Sequence, residues 1–285
     1  MKKLEFRNIM SVLDHYDVLI FDLWGVIVEG DYIYPGVVDT INNILSLKQV
    51  YFASNAPRPI FGSFKKIESW GIKASLDNVV TSGEIARQLI TNSKTEFGID
   101  KPIIYHLGAE RNNEILVGIN AKTTTNIKEA NILLLTLYRD QGENLEEFDQ
   151  ILAEIANQNI VNICANPDTI IKLNDSLRYT SGYFAAKLEA LDRKVIYTGK
   201  PHTPIFDLTL SKVTNVPKNR ILMVGDTLET DILGASKVGI HSALVMTGNA
   251  EKFHIAHSNM ETKLAKLEEA AIHANIMPNF ITSLT

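Results

Sequence analysis

The chain has 285 residues, of which 45% are hydrophobic and 21% are charged, and its net charge is −5 at pH 7. These values are typical of a globular protein with one or two domains. The acidic balance gives no reason to expect nucleic acid or an anionic membrane as a partner. The single cysteine, Cys164, excludes an intrachain disulfide and fits a reducing compartment.

Short β-like runs alternate with amphipathic stretches along almost the whole chain. The predicted strands are residues 17–22, 49–54, 102–107, 131–137, 159–165, 194–198, 220–225 and 241–246. The predicted helices are residues 37–47, 58–70, 82–93, 145–157, 183–191, 203–213, 229–238 and 258–274. This alternation is typical of parallel βαβ units.

The strands fall into two groups by the residues that follow them. Five end in polar or glycine-bearing turns: 17–22, 49–54, 194–198, 220–225 and 241–246. The strands between residues 102 and 165 are followed by residues with no evident chemical role. We therefore predict an α/β fold with a Rossmann-like parallel-sheet core domain at residues 1–81 and 191–285, and a second α/β domain inserted at residues 82–190.

The first of these strand ends is the most informative. The apolar run from Val18 stops at Asp22, and Trp24 and Gly25 follow closely. In α/β proteins, ligands bind at the carboxyl ends of parallel strands. Asp22 is therefore a candidate nucleophile or metal ligand.

Three further strand ends complete a set that makes chemical sense together. They supply Ser54, Asn55, Lys200, Asp226 and, in the following helix, Asp231. Each could be an ordinary turn or helix cap when it is taken alone.

A phosphate ester that approaches an aspartate nucleophile needs a divalent cation, hydrogen-bond donors and a fixed positive charge. Mg²⁺ prefers carboxylate and water oxygens, which Asp22 and Asp226 could help to supply. Lys200 and Ser54 could bind the phosphate. Asp231 could hold a metal-bound water or Lys200.

The order of these elements resembles the four motifs of the haloacid dehalogenase superfamily of phosphohydrolases. Class IIA, the sugar-phosphatase and nucleotidase branch, is the more specific resemblance. The residues that suggest this branch are Gly25-Val26, Gly30, Pro35-Gly36, Ser54-Asn55, Asn166-Pro167-Asp168, Thr198-Gly199-Lys200-Pro201 with Phe206, Val224-Gly225-Asp226-Thr227, Thr230-Asp231 and Gly234-Ala235. The resemblance implies that the inserted domain is a cap that selects substrate.

The resemblance also implies roles for single residues. Asp22 would be the nucleophile and would form an aspartyl-phosphate. Mg²⁺ would be held by the side chains of Asp22 and Asp226 and by the backbone carbonyl of Trp24. The phosphoryl group would be bound by Ser54, Asn55 and Lys200, and the substrate would be a small phosphorylated metabolite.

Trp24 departs from the family pattern, because phosphatases of this superfamily carry a second Asp at this position. That Asp protonates the leaving oxygen and later activates water, and an indole can do neither. General acid–base catalysis is worth about 10²–10⁴-fold, so turnover should suffer more than metal binding. His202, Glu29 and Asp31 are candidates for a replacement base, although a solvated loop charge or a helix-start residue is the simpler interpretation of each.

Three interpretations remain open at this stage. The first is a phosphatase that is slow or redirected to substrates with good leaving groups. The second is a non-catalytic relative that binds a phosphorylated ligand or another protein. The third is a dehalogenase, since those enzymes carry an aromatic residue here, but they dispense with the metal that the Asp226 motif predicts.

Substrate identity lies in the inserted domain and cannot be read from the sequence. Arg139, Asp140 and Arg178 are candidate specificity residues, although each could be a surface charge. Glu5 and Arg7 interrupt the amino-terminal apolar pattern that a signal peptide needs, and no stretch of about 18 apolar residues exists. We therefore expect a cytoplasmic protein, and the resemblance is compatible with a homodimer.

Overall fold

The computed structural model describes residues 4–139, 144–173, 176–253 and 259–285. The strands of these residues are β1 Phe6–Asn8, β2 Val18–Phe21, β3 Val28–Glu29, β4 Tyr32–Ile33, β5 Gln49–Ser54, β6 Val79–Thr81, β7 Ile103–Gly108, β8 Lys122–Thr124, β9 Ile132–Thr136, β10 Val161–Cys164, β11 Ile170–Leu173, β12 Ser176–Tyr179, β13 Val195–Tyr197, β14 Ile221–Gly225, β15 His241–Val245 and β16 Phe280–Ser283.

The α-helices of the same residues follow in chain order. They are α1 Ile9–Val12, α2 Val37–Leu47, α3 Ile60–Ser69, α4 Ser82–Thr91, α5 Ser93–Phe97, α6 Leu145–Ala156, α7 Ser181–Ala190, α8 Thr203–Leu210, α9 Leu233–Val238 and α10 Met260–Ala274. Helix α2 has the predicted bounds, because its apolar positions recur at helical spacing and bury Ile41 and Ile44. None of the described helices is both long and apolar enough to cross a membrane.

A seven-stranded sheet has the order β1-β16-β15-β14-β2-β5-β6. Its central strand, β14, pairs in parallel with the neighbouring strand β2, and Ile221 lies opposite Val18. All four residues of β2 are buried, which explains why its sequence is continuously apolar. The carboxyl ends of β2 and β14 therefore open at the same edge of the sheet.

A second sheet of five parallel strands has the order β13-β10-β9-β7-β8. One apolar cluster on this sheet includes Phe148, Phe184 and Cys164. Burial raises the pKa of the Cys164 thiol, as expected for a buried cysteine that packs as a small apolar residue. The predicted α/β class with a parallel-sheet core and a second sheet is confirmed.

The assignment of strand 194–198 to the core sheet is wrong. As β13, this strand pairs in parallel with β10, and Val195 lies opposite Asn162. The chain leaves β10, passes through the β11–β12 hairpin and α7, and returns beside the strand that it left. Neighbouring elements in sequence commonly pack together in this way, and the apolar pattern of β13 did not specify a sheet.

The chain forms two compact units. The first comprises Met1–Ser54, Phe64–Val80 and Phe206–Thr285, and the second comprises Asn55–Ser63 and Thr81–Ile205. The second unit extends beyond the predicted insertion at 82–190, because β13 lies in the second sheet and Asn55–Ser63 also belongs to this unit. The predicted division into core and cap domains stays a prediction.

Candidate active site

Asp22 stands directly after β2 in the first unit. Its backbone N–H donates to the carbonyl of Val224, 3.0 Å away, so the strand pairing continues up to this residue. The neighbouring strand β5 ends at Ser54, which is 3% exposed. The sheet thus places the Asp22 carboxyl and the Ser54 hydroxyl at the ends of adjacent strands.

Two more carboxyls follow β14. Asp226 comes directly after this strand and is 3% exposed. Asp231 is fully buried within a π-helical turn, Leu228–Ile232, that precedes α9. Such turns are rare and are frequent at functional sites. Ligand oxygens of Asp22, Asp226 and Asp231 all lie within 4.8 Å of one another.

This crowding has a clear electrostatic consequence. Burial raises the pKa of Asp226 well above its usual range, and the nearby Asp231 and Asp22 carboxyls raise it further. Two hydrogen bonds oppose the shift, one from the Asn249 backbone N–H at 2.7 Å and one from the Thr227 hydroxyl at 2.8 Å. Three buried or half-buried carboxyls at this spacing need a cation to be charged together.

Glycines leave the space that the carboxyls occupy. A Cβ on Gly25 would lie 2.0 Å from Oδ2 of Asp226, and a Cβ on Gly248 would lie 2.3 Å from the same atom. Gly25 also has a φ of +77°, which other residues rarely adopt. The backbone of the turn after β2 can therefore approach the Asp226 carboxylate closely.

Replacing Gly25 by Ala is expected to disrupt the predicted magnesium site and to abolish any activity that depends on it, since the new methyl group would displace the Asp226 carboxylate. Gly30→Ala is the matched control, because Gly30 also has a positive φ, +61°, but a Cβ on Gly30 would meet no atom within 4 Å. Both variants should lose about 1 kcal/mol of stability through backbone strain. Phosphate release and Mg²⁺-induced shifts in melting temperature measure the difference, and equal losses in both variants would contradict the close approach at Gly25.

Lys200 lies in the second unit, after β13, and is 2% exposed. Its backbone is held by Asn55: the Lys200 N–H donates to Oδ1 of Asn55 at 2.7 Å, and Nδ2 of Asn55 donates to the Lys200 carbonyl at 3.0 Å. A Cβ on Gly199 would lie 2.4 Å from the same Oδ1, so only glycine permits this approach. The predicted partners Asn55 and Lys200 are therefore brought together.

Asp168 completes this arrangement and was not predicted to have a role in it. Its Oδ1 accepts the second hydrogen bond of the Asn55 amide at 2.9 Å, while its own N–H donates to Oδ1 of Asn166. Both amide hydrogens of Asn55 are therefore engaged within the unit. The run Asn166-Pro167-Asp168 after β10 marked this segment in the sequence, but the sequence did not indicate that Asp168 contacts Asn55.

Comparison with known proteins identifies the family to which these motifs belong. A family model described as haloacid dehalogenase-like hydrolase matches residues 19–122, and one described as HAD-hydrolase-like matches residues 197–271. A solved structure from Cytophaga hutchinsonii, described as a possible sugar phosphatase of the HAD superfamily, superposes with a TM-score of 0.78 and 26% identity over 98% of each chain. The chain belongs to the haloacid dehalogenase superfamily, class IIA.

Two curated relatives are similar over most of their length. Chloroplastic phosphoglycolate phosphatase 1A of Arabidopsis thaliana is 26% identical over 98% of this chain and 78% of that protein. The 4-nitrophenylphosphatase of Schizosaccharomyces pombe is 23% identical over 93% of this chain and 97% of that protein. Both relatives are named as phosphatases, and the predicted family is confirmed.

The donor set of this HAD protein fits a hard divalent cation. Asp22, Asp226 and Asp231 offer only carboxylate oxygens, which Mg²⁺ prefers to nitrogen or sulfur. The glycine backbone at Gly25 and Gly248 provides the close approach that such a compact site requires. The role of each residue as a ligand stays a proposal.

Trp24 is exposed, in contrast to the buried carboxyls of Asp226 and Asp231. Its side chain is 44% exposed, and its backbone forms an isolated bridge with Val28. In the same loop, Glu29 accepts a hydrogen bond from the Tyr34 hydroxyl at 2.9 Å, and Asp31 is exposed. Glu29 is therefore tied to a neighbouring side chain, which weakens its candidacy as a base.

His202, Arg139 and Arg178 lie in the second unit. The His202 ring stacks on Tyr197 with centroids 4.3 Å apart and planes 6° apart. Arg139 has its guanidinium 4.6 Å from the ring centroid of Phe148, and Arg178 lies in β12 opposite Ile171. Asp140 lies outside the described residues.

Proposed function

We propose that this HAD phosphatase is a Mg²⁺-dependent hydrolase of a small phosphorylated metabolite that works through an aspartyl-phosphate on Asp22. The observation that carries the proposal is the convergence of Asp22, Asp226 and Asp231 within 4.8 Å at the carboxyl ends of parallel strands. The named phosphatases that match nearly the whole chain support the same activity.

The proposed reaction has two steps, and the Asp22 carboxylate takes part in both. An Asp22 carboxylate oxygen attacks phosphorus, and the bond from phosphorus to the leaving oxygen breaks. Water then attacks the acyl phosphate, which releases inorganic phosphate and restores the carboxylate. A bound Mg²⁺ would offset the negative charge on the phosphoryl oxygens.

Other residues would bind and orient the phosphoryl group in this proposal. Lys200 supplies a positive charge, and Ser54 supplies a hydroxyl donor. The hydrogen bonds of Asn55 favour a positioning role, in which it fixes the Lys200 backbone instead of donating to phosphate. Asp231, whose Oδ2 accepts a hydrogen bond from the Thr227 backbone N–H at 3.2 Å, would hold a metal-bound water.

Trp24 sets the expected substrate preference. Since an indole cannot protonate an alkoxide, the first step should favour esters whose leaving group is already a weak base. Aryl phosphates meet this condition, and the S. pombe relative is named for one. We therefore propose an enzyme that hydrolyses aryl phosphates faster than alkyl phosphates.

The test is release of phosphate from 4-nitrophenyl phosphate and from ethyl phosphate, each with Mg²⁺ and with excess EDTA. We expect turnover with Mg²⁺, loss of turnover with EDTA, and a rate ratio of about 10² or more in favour of the aryl ester. Turnover that survives EDTA would contradict the metal site. Equal rates on both esters would show that another residue supplies the proton, and His202→Gln would be measured next.

A phosphoryl-binding protein without turnover is the second candidate, and the absence of a titratable side chain at Trp24 favours it. It predicts Mg²⁺ and phosphate binding with no hydrolysis of either ester. Dehalogenation is disfavoured, because the crowded carboxyls at Asp226 and Asp231 fit a metal that dehalogenases lack. Assembly as a homodimer and a cytoplasmic location stay predictions.

A further inference from the structure

The turn that follows β15, residues 247–249, has no role in the reaction proposed above. The sequence places a polar, glycine-bearing turn at this strand end, as it does after β2 and β14. Because β15 pairs in parallel with β14, their carboxyl ends lie at the same edge of the sheet. The 247–249 turn is therefore on the side where ligands bind in parallel sheets.

The first contact of the 247–249 turn is with Asp226. The backbone N–H of Asn249 donates to Oδ2 of Asp226 at 2.7 Å, and the Asn249 side-chain amide donates to the Thr227 hydroxyl at 2.9 Å. That hydroxyl in turn donates to Oδ1 of Asp226 at 2.8 Å. Both carboxylate oxygens of this proposed metal ligand are thus tied to the turn, one directly and one through Thr227.

The second contact is with the turn after β2, residues 23–28. The Thr247 hydroxyl donates to the Gly25 carbonyl at 2.5 Å, and the Gly25 N–H donates to the Val28 carbonyl at 2.7 Å. Hydrogen bonds therefore hold this glycine on both sides. The Gly25 N–H and the Trp24 carbonyl belong to one planar peptide unit, so the orientation of Gly25 also sets the direction of the Trp24 carbonyl. That carbonyl is the backbone ligand expected for Mg²⁺.

Gly248 permits both contacts at once. A Cβ on Gly248 would lie 2.3 Å from Oδ2 of Asp226 and 2.3 Å from Cα of Gly25. Its own N–H donates to the Tyr34 hydroxyl at 3.2 Å, which ties the 247–249 turn to the chain that follows β4. Because no side chain intervenes, this turn lies against the carboxylate and the turn after β2 together.

We propose that Thr247 is a positioning residue that fixes the turn after β2 and thereby sets the geometry of the magnesium site. The inference rests on the proposed Mg²⁺-dependent function. In this role Thr247 is not itself a ligand, because its hydroxyl acts through the backbone of Gly25, next to the Trp24 carbonyl. Groups that orient metal ligands in this way typically change metal affinity by about 10–100-fold when they are removed.

The test removes the Thr247 hydroxyl while nearly keeping the shape of the side chain. Thr247→Val cannot donate to the Gly25 carbonyl, whereas Thr247→Ser keeps the donor. We expect Mg²⁺ binding, measured by calorimetry without substrate, to weaken by about tenfold or more in Thr247→Val. Thr247→Ser should stay within about threefold of the wild type, because the hydrogen bond is retained.

Thr282→Val is the matched control. The Thr282 hydroxyl also donates to a backbone carbonyl, that of Arg7 at 2.8 Å, and Thr282 lies opposite Val245 on the strand beside β15. This variant should lower the melting temperature but bind Mg²⁺ within about twofold of the wild type, because its hydrogen bond does not involve the turn after β2. Equal weakening in Thr247→Val and Thr282→Val, equal weakening in Thr247→Val and Thr247→Ser, or wild-type affinity in Thr247→Val would overturn the proposal.

A wild type that binds no Mg²⁺ would count against the proposed metal dependence alone. Backbone amide exchange of the metal-free protein, followed by NMR, then decides the role of Thr247. The N–H groups of Gly25, Ile27 and Val28 all donate within the turn after β2. They should exchange about fivefold faster in Thr247→Val but not in Thr282→Val. Unchanged exchange of these amides in Thr247→Val would overturn the positioning role.

Discussion

Asp22→Asn is expected to lower kcat for 4-nitrophenyl phosphate by about 10⁴-fold or more, the scale seen when a nucleophile is removed. The carboxamide is neutral and cannot attack phosphorus as a carboxylate does. The change is close to isosteric, and the backbone N–H of Asp22 would still donate to Val224. The folded structure should therefore survive the substitution.

The control for this variant is Asp14→Asn. Asp14 is exposed and lies in a 3₁₀ turn before β2, whereas Asp22 follows the opposite end of that strand. Its substitution should leave kcat within about twofold, since surface changes are usually near neutral. Phosphate release is measured beside the melting temperature of each variant. If Asp22→Asn kept more than about one per cent of wild-type turnover, the nucleophile would be another residue.

Trp24→Asp is expected to increase kcat for ethyl phosphate by about 10²–10⁴-fold, because it supplies the acid and base that the wild type lacks. The gain on 4-nitrophenyl phosphate should be much smaller, since its leaving group needs no proton. The wild-type indole is 44% exposed, so its removal leaves no buried cavity. The backbone carbonyl proposed as a metal ligand is retained.

Trp24→Asn separates proton transfer from the loss of the indole. Asn has nearly the same shape as Asp but has no titratable group, so it should not increase the alkyl rate. The pH–rate profile of Trp24→Asp should gain a limb that is absent from Trp24→Asn. A similar rate increase in both variants would mean that the indole blocks access to the site, and no increase in either would mean that another group already transfers the proton.

The carboxyl ends of the central strands could be predicted because local sequence determines them. A continuous apolar run such as β2 is typical of a strand buried on both faces, and Asp22 directly after it marks where burial ends. The same reasoning applies to β14 and Asp226. Chain order and motif spacing then sufficed to predict the family, which the comparisons confirm.

The short strands at the edges of the two sheets have too few residues for a strand pattern to be recognised in the sequence. The strands β1, β6 and β8 have three residues each, and alternation cannot be recognised over so few positions. Their formation depends on pairing with strands that are already in place. The π-helical turn that places Asp231 is also set by packing, because the sequence 229–238 reads as a continuous helix.

Local sequence was sufficient to predict the apolar strands, the polar residues that end them and the order of the motifs, because each depends on neighbours a few positions away. Tertiary packing selected the pairing of β13 with β10 and the contacts by which the Asn55 side chain binds the Lys200 backbone and the Asp168 carboxylate. These contacts join residues far apart in the chain. Such pairings are selected by packing and by the need to satisfy buried polar groups, which no local pattern records.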